Sequence, residues 1–501
     1  MTEFRVGHHV EPQLQFGYGQ CLDDPKQGLF LFGPLEERRP SSMRVGVVGT
    51  PAGIELYKQW VRAITGFIPA ARPDALHQIG FPGFEAAFRT PWPLQPAAEI
   101  PISTSDISKS LRISDRHVGI FEAVSHFEGA IRNKIRMDDV AVDLWFVIIP
   151  EEVYILGRPQ SRIPFAERQL IERRIDSRIA RRLRSQPSLF AEDMEEAKIY
   201  AYDLDFHNQL KARLLDTKAV VQVVRETSLD QSSLFSKGSR RLQDPATVAW
   251  NLTTTSYFKA GGRPWKLHAV RDGVCYIGIV FKQDAQDPSG SSACCGAQMF
   301  LNSGDGLVFK GALGKWQPER REFHLTKEDA ADLMRAVLDE YHSENGKWPQ
   351  EIFLHGRTRF SNDEWEGFNS VLPDGVKVVG VRISRSSDLK LFRSGKTPVL
   401  RGTTLIVDHR QAYLWSSGYV AALRTYAGRE VPNPLSVEIT RGDADIDRVC
   451  ADVLGLTKVN FNACIYGDGL PVTLRFADSV GEILTAGPIG HLPPLPFRHY
   501  I

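Results

Sequence analysis

His207 and Lys211 stand four residues apart in a segment, 206–215, whose pattern fits a helix, so both side chains project from one face. Gln222 lies on the next apolar run, 219–224. Lys259 follows a second helical stretch, 248–258, with Asn251 two turns earlier on roughly the same side. Converging cations and hydrogen-bond donors are what a phosphate group needs, and an aromatic ring beside them can stack on an adjoining base. Taken singly, each residue has a plainer explanation: a surface lysine or glutamine is usually just solvated, and a lone histidine is usually structural. A second candidate is Gly46-Val47-Val48-Gly49-Thr50-Pro51-Ala52-Gly53, glycine-rich between a strand and a helix, where backbone N–H groups could cradle the phosphate of a small nucleotide. It lacks the Gly-Lys-Ser/Thr of a P-loop and is not G-x-G-x-x-G, so a tight turn explains it more simply. A third is the stretch from Arg162 to Arg184, with eight arginines against Glu167, Glu172 and Asp176. Ile171, Ile175 and Ile179 give it helical spacing. Either it is a solvated helix face with some ion pairing, or it faces phosphate or a partner.

The elements that position these residues alternate. A short apolar strand at 43–50 turns at Pro51-Ala52-Gly53 into a helix, 54–65; a long helix, 118–135, leads to an apolar strand, 140–150. With the 206–215 helix and the 219–224 strand, this predicts a parallel, doubly wound α/β domain. After Gly261-Gly262-Arg263-Pro264-Trp265 a second α/β unit begins. Strands at 274–281, 297–301 and 306–310 suit an antiparallel meander, followed by a helix at 327–343, a buried strand at 351–355, a helix near 363–370 and strands at 376–384 and 403–407. The 501 residues leave room for two to four domains. At 42% hydrophobic and 24% charged residues, the composition allows large buried cores. No run reaches the roughly 18–20 apolar residues of a membrane span, and the amino-terminal segment lacks a secretion pattern. The six cysteines include no C-x-x-C pair, so neither zinc nor a disulfide framework is expected and a reducing cytoplasm fits best. The net charge of +1 does not exclude nucleic acid, because binding follows where charge is placed rather than its sum.

Several ordered motifs together resemble one family. Trp250-Asn251-Leu252 through Phe258-Lys259-Ala260-Gly261-Gly262-Arg263-Pro264-Trp265 resembles the segment joining the MID and PIWI domains of Argonautes. Tyr276-Ile277-Gly278-Ile279 is similar to the first PIWI strand, and Ala297-Gln298-Met299-Phe300 with Gly306-Leu307-Val308-Phe309-Lys310-Gly311 to its hairpin. Leu456-Thr457-Lys458-Val459-Asn460-Phe461-Asn462, then Pro471-Val472-Thr473-Leu474 and Ala477-Asp478, resemble the closing PIWI elements; Gly28-Leu29 with Gly33-Pro34 resembles the lead into MID. The chain is thus identified as resembling a short prokaryotic Argonaute over nearly its whole length. The resemblance implies an α/β architecture with a lead-in at 1–41, a Rossmann-like MID domain at 42–260 and an RNase H-like PIWI domain at 261–501, with no PAZ domain. It also implies a pocket for the 5′ phosphate of a guide made by His207, Lys211, Gln222 and Lys259, with Asn251 nearby. A Mg²⁺ ion there would be bridged by Gln222 and the carboxylate of Ile501, since hard cations prefer oxygen ligands.

Against the cutting members of that family, this sequence departs at the nuclease site. Two-metal cleavage needs several carboxylates holding cations about 4 Å apart. The first should follow Gly278-Ile279, where Val280 stands; the second should follow the strand 352–354, where the chain reads His355-Gly356-Arg357. Asp284, Asp287 and Asp363 fall in loop positions. The expectation is a protein with no nuclease activity of its own. The resemblance implies a guide RNA, a complementary single-stranded DNA target, and a heterodimeric partner carrying an APAZ region with a TIR or sirtuin-like NAD-consuming domain. The process would be antiviral or antiplasmid defence by abortive infection. The alternative is an RNase H-like nuclease using displaced carboxylates such as Asp284, Asp305 and Asp408.

Overall fold

The structure, a computed structural model, describes residues 4–37, 39–137, 141–230, 244–269, 271–283, 292–300, 306–319, 321–488 and 494–501. Asp284, Asp287 and Asp305 lie outside this set, as do the outermost residues of the strands expected at 140–150 and 297–301. In chain order the elements are β1 (Arg5–His8), β2 (Val45–Gly49), α1 (Pro51–Ile64), β3 (Ala98–Pro101), α2 (Arg116–Met137), β4 (Leu144–Ile149), α3 (Ser177–Ser185), α4 (Phe206–Leu214), β5 (Val221–Arg225) and α5 (Pro245–Lys259). They continue as β6 (Val274–Gln283), β7 (Ser292–Phe300), β8 (Gly306–Gln317), α6 (Lys327–Asn345), β9 (Glu351–Gly356), α7 (Asn362–Ser370) and β10 (Lys377–Arg385). The last are β11 (Thr403–Ile406), β12 (Gln411–Leu414), β13 (Leu435–Arg441), α8 (Ile446–Leu456), α9 (Val472–Arg475) and α10 (Ala477–Leu484).

β2 and β4 are buried at every position, as strands covered on both faces must be. They form a parallel sheet in the order β3-β2-β4-β5. Val45 and Val47 pack with Ile54 and Trp60 of α1, while Val48, Trp145 and Val147 pack with α2 and α4 on the other face. The glycines before α1 serve this packing: a Cβ on Gly46 would stand 2.6 Å from the Trp145 ring. Thr50 caps α1 by accepting from the Gly53 amide at 2.9 Å and donates to Glu226 Oε1 at 2.5 Å. A carboxylate therefore occupies the helix start where the nucleotide alternative put a phosphate.

The second half is built on a mixed sheet in the order β1-β11-β12-β13-β10-β9-β6-β7-β8. β6, β7 and β8 are an antiparallel meander; β9 runs parallel to both β6 and β10, with Gly356 opposite Ile279. Cys275, Ile277 and Ile279 face α6 and α7, and Tyr276 and Val280 face the carboxy-terminal helices. Gly278 lies on that second face, where a Cβ would come within 1.9 Å of the Thr473 carbonyl; only glycine lets α9 approach so closely.

Two expectations change. The arginine-rich stretch is α-helical only over α3, because Asp176 starts that helix by accepting from the amides of Arg178 and Ile179. Upstream, Gln169 is held in extended pairing beside Ile113 through its amide and carbonyl. The segment read as a lead-in is built into the carboxy-terminal half: β1 pairs with β11, and Leu14–Gln15 pairs with Lys266–Leu267. Glu11 receives Lys458 Nζ and Arg401 Nε, each at 3.0 Å.

The halves meet where α5 ends. Gly261 has φ of 96°, a left-handed geometry that suits glycine, and a Cβ on Gly262 would strike the Tyr257 ring at 2.4 Å. The tight turn drives Trp265 into full burial, its ring 5.3 Å from that of Phe461 and its Nε1 donating to the Lys458 carbonyl at 3.1 Å. Removing that ring leaves a cavity and an unpaired carbonyl. Trp265→Ala should lower stability by about 3–5 kcal/mol, whereas Phe30→Ala, at a half-exposed ring, should change it little. Urea unfolding of the two variants is the check, and equal midpoints would refute the junction's role.

Candidate functional site

α4 starts at Asp205, whose carboxylate accepts from the Asn208 amide at 3.1 Å, and this start fixes which residues face inward. Lys211 is buried, and its Nζ donates to the main-chain oxygens of Tyr500, at 3.2 Å, and of Ile501, whose carboxylate is the expected metal ligand. Lys259, the last residue of α5, is equally buried and donates to the Val221 carbonyl at 2.9 Å and to Gln222 Oε1 at 2.8 Å. Gln222 is held in place by its own Nε2, which donates to the Val223 carbonyl. Lys211, Gln222, Lys259 and Ile501 are thus gathered from α4, β5, α5 and the last segment of the chain. Asn251 is turned elsewhere: its Oδ1 accepts from the Cys464 amide at 2.9 Å, tying α5 to the loop before α9.

His207 is exposed, on the wall of a cavity of about 610 Å³ beyond the carboxyl ends of β4 and β5. Tyr154 forms another part of the wall, sandwiched by Arg158 and Arg225 whose guanidinium carbons lie 3.8 and 3.7 Å from its ring centre. Arg225 is oriented by Glu151 at 2.6 Å. Sequence reasoning missed Tyr154, Arg158 and Arg225. The available signal was their position just past two parallel strands, the edge where open α/β sheets take ligands.

The electrostatics point to an anion. Burial pushes the Lys211 ammonium down to about 7, and burial together with Lys211 holds Lys259 well below the usual lysine range. Neither lysine forms an ion pair with a carboxylate side chain among the described residues. Two desolvated ammoniums side by side are costly unless a negative group joins them. The expected Mg²⁺ ligands fit less well, because Gln222 Oε1 and the Ile501 oxygen both already accept from ammoniums. Among the described residues no cluster of three or more His, Cys, Asp or Glu side chains could hold a metal ion.

No family model matches this chain, and no curated sequence does. Solved structures do. The Clostridium butyricum Argonaute bound to a guide DNA and a 19-mer target DNA superposes with a TM-score of 0.63 over 97% of this chain and 54% of its own, at 14% identity. Drosophila Piwi gives a TM-score of 0.58 over 99% of this chain and 56% of its own at 12% identity, and the Aquifex aeolicus Argonaute gives 0.54 over 98% and 54% at 14%. The fold is the Argonaute fold. This chain spans about half the length of the solved Argonautes it matches.

Within that fold the parallel sheet is the MID-like half and the large mixed sheet the PIWI-like half. In the PIWI-like half, Val280 is buried on β6, and Arg357, one residue past the Gly356–Ile279 pair, stands level with it. Arg357 forms a two-pronged ion pair with Asp478 at 3.0 and 2.8 Å. His355 is buried beside Thr473 Oγ1 at 2.9 Å, and burial pushes its pKa down to about 3. Asp408 accepts from the amides of Arg410 and Gln411 in the β11–β12 turn, four strands from β9 in the sheet order, and Asp363 lies in the first turn of α7.

The lysine geometry gives a pH dependence. A phosphate monoester beside Lys211 and Lys259 raises both pKa values, so binding takes up protons. Above pH 7 the phosphate is already a dianion, and affinity for a 5′-phosphorylated strand should fall as pH rises beyond about 7, where Lys211 loses its proton. The slope should approach up to about tenfold per pH unit for each proton taken up. Calorimetry in buffers of different ionisation enthalpy measures the uptake directly, and a pH-independent affinity with no proton uptake excludes the lysine pair as the phosphate site.

Proposed function

We propose that this chain anchors the 5′ phosphate of a guide strand in the MID-like half and presents that strand for pairing with a complementary target, without cutting it. The observation that carries the proposal is the pair of buried lysines, Lys211 and Lys259, the second bonded to Gln222, with Lys211 one helical turn from His207 on the wall of a cavity that Tyr154 also lines. A phosphate dianion would add negative charge beside both ammoniums, and the first base would stack on the guanidinium planes of Arg158 or Arg225 that cover Tyr154, a contact that tolerates any base. Base pairing then supplies sequence readout while the protein holds the backbone. The fold similarity supports this, since the Clostridium butyricum protein was solved with a guide DNA and a target DNA.

The proposal that the PIWI-like half is not a nuclease rests on Val280 and on the Arg357–Asp478 pair. An apolar side chain cannot ligate a cation, and Asp478, the carboxylate that meets Arg357, is neutralised by its guanidinium. Two-metal attack by water has too few anionic ligands there. The guide is proposed to be RNA and the target single-stranded DNA. The chemistry would belong to a heterodimeric APAZ-bearing TIR or sirtuin-like partner whose NAD consumption stops an invaded cell. A cytoplasmic site is proposed as well, and no helix among the described residues is long and apolar enough to cross a membrane. Mg²⁺ has a place at the phosphate only if it displaces both ammoniums from Gln222 and Ile501.

Lys211→Glu and Lys259→Glu should each weaken a 5′-phosphorylated guide by about ten- to a hundredfold, the worth of one charge-assisted bond, while a 5′-hydroxyl guide changes far less. Equal losses for both guides would falsify the phosphate pocket. Chelation of divalent ions should leave the affinity for the phosphorylated guide unchanged; a chelator-dependent loss restores the Mg²⁺ expectation. Guide-loaded protein should leave a complementary strand uncut in Mg²⁺ or Mn²⁺, and Val280→Asp alone should not create cutting, because Arg357 still occupies the second position. Cleavage by the isolated wild-type chain would show that the acids lie elsewhere.

A further inference from the structure

The cleft where a nuclease would keep its metal ions holds a second cavity, of about 450 Å³, past the carboxyl ends of β9 and β10. Its walls carry Arg357, Arg385 and Arg475 against the single carboxylate of Asp478, with Ser384 beside them and Ile383 and Leu474 beneath. Each arginine is placed differently. Arg357 is pinned by the two-pronged bond to Asp478, and Arg475 is steered by Asp468 at 2.6 Å. Arg385 is exposed, and its guanidinium has no partner among the described residues. The floor adds two further guanidiniums outside the cavity, Arg359 and Arg382, both of which meet Glu438.

We propose that this cavity is a metal-independent phosphodiester site, in which Arg385 and Arg357, with Arg475 at the rim, hold one backbone phosphate of the strand paired to the guide. This rests on the guide-binding reading above and adds a named contact to it. Guanidinium forks match phosphate oxygens in pairs and stay charged at any working pH, so they need no cation to carry the negative backbone. Asp478 keeps Arg357 extended into the cleft rather than folded away, while Arg385 keeps all its donors for a ligand. Val280 and the apolar floor remove the carboxylates that would otherwise repel a phosphate and attract a metal.

The test uses the full chain loaded with a 5′-phosphorylated single strand, with a complementary strand as the probe. Arg385→Glu should leave capture of the phosphorylated single strand within about twofold and weaken capture of the complement by about tenfold. The slope of log affinity against log salt for the complement should become shallower by about one phosphate contact. Arg385→Lys should recover most of the loss, as a point charge still serves. Complements carrying one neutral methylphosphonate linkage at successive positions should show one linkage whose replacement weakens the wild type but weakens Arg385→Glu no further. Chelation should leave all of these effects in place. The same experiment done with the neutral linkages in the guide distinguishes a guide phosphate as the source. Complement capture that ignores Arg385→Glu, a loss confined to the guide strand, or a chelator that abolishes the effect each overturns the site while leaving the guide pocket intact. A wild-type chain that holds no phosphorylated strand overturns both readings together.

Discussion

Two lysine ammoniums held out of water, with no carboxylate side chain among the described residues to answer them, set the terms for the rest of this molecule. Lys259 can be there because it ends α5, where the last carbonyls of a helix favour a positive charge. Lys211 can be there because the main-chain oxygens of Tyr500 and Ile501 turn toward it. Neither arrangement is local. The final residues reach α4 only because Phe497 packs between Phe300 and Phe476, with ring centres 5.4 and 5.1 Å away. α5 ends where it does because Gly261 and Gly262 let the chain turn and bury Trp265. The anion site is therefore a product of both halves, and its geometry depends on the seam between them.

The two basic places in the chain work in different regimes. In the MID-like half the cations are few, buried and lysine, so their charge responds to whether an anion is present. A single terminal phosphate suits such a site, because the gain on binding is large where water is excluded. In the PIWI-like cleft the cations are several, exposed and arginine, held apart by Asp478, Asp468 and Glu438. There each contact is screened and modest, which fits a polymer backbone that contributes one phosphate among many. A strand fixed firmly at one end and held lightly along its length can still be sampled for complementarity.

Much of this was legible in the sequence. The helical spacing of Ile54, Trp60 and Ile64, and the unbroken apolar runs of β2 and β4, follow from elements buried on one or both faces. Val280 stands on β6 and Arg357 just past β9, where their patterns put a strand and a strand end, and Lys259 meets Gln222 from the next element. What the sequence did not disclose depends on contacts between distant residues. β1 has only four residues and an amphipathic pattern too short to read, and its partner β11 lies about four hundred residues away. The carboxamide of Asn251 faces Cys464, more than two hundred residues on, a preference no helical wheel contains. Tyr154 is an ordinary helix residue until Arg225 arrives from another strand to close on its second face.

On the proposed reading, the seam also links guide binding to the integrity of the fold. A ligand that binds only the assembled site stabilises the assembled state, by about 2.7 kcal/mol at a hundred times its dissociation constant. Here the assembled state includes the closing segment around Phe497 and the turn at Gly261, because both position the groups that receive the phosphate. The amino-terminal segment is drawn in by the same logic: Glu11 holds Lys458, whose carbonyl receives the Trp265 ring nitrogen, so β1 and the junction share one chain of contacts. On the proposed reading, an anion in the pocket favours the charged form of both lysines and so couples to contacts that run from the MID-like sheet to the far edge of the PIWI-like sheet.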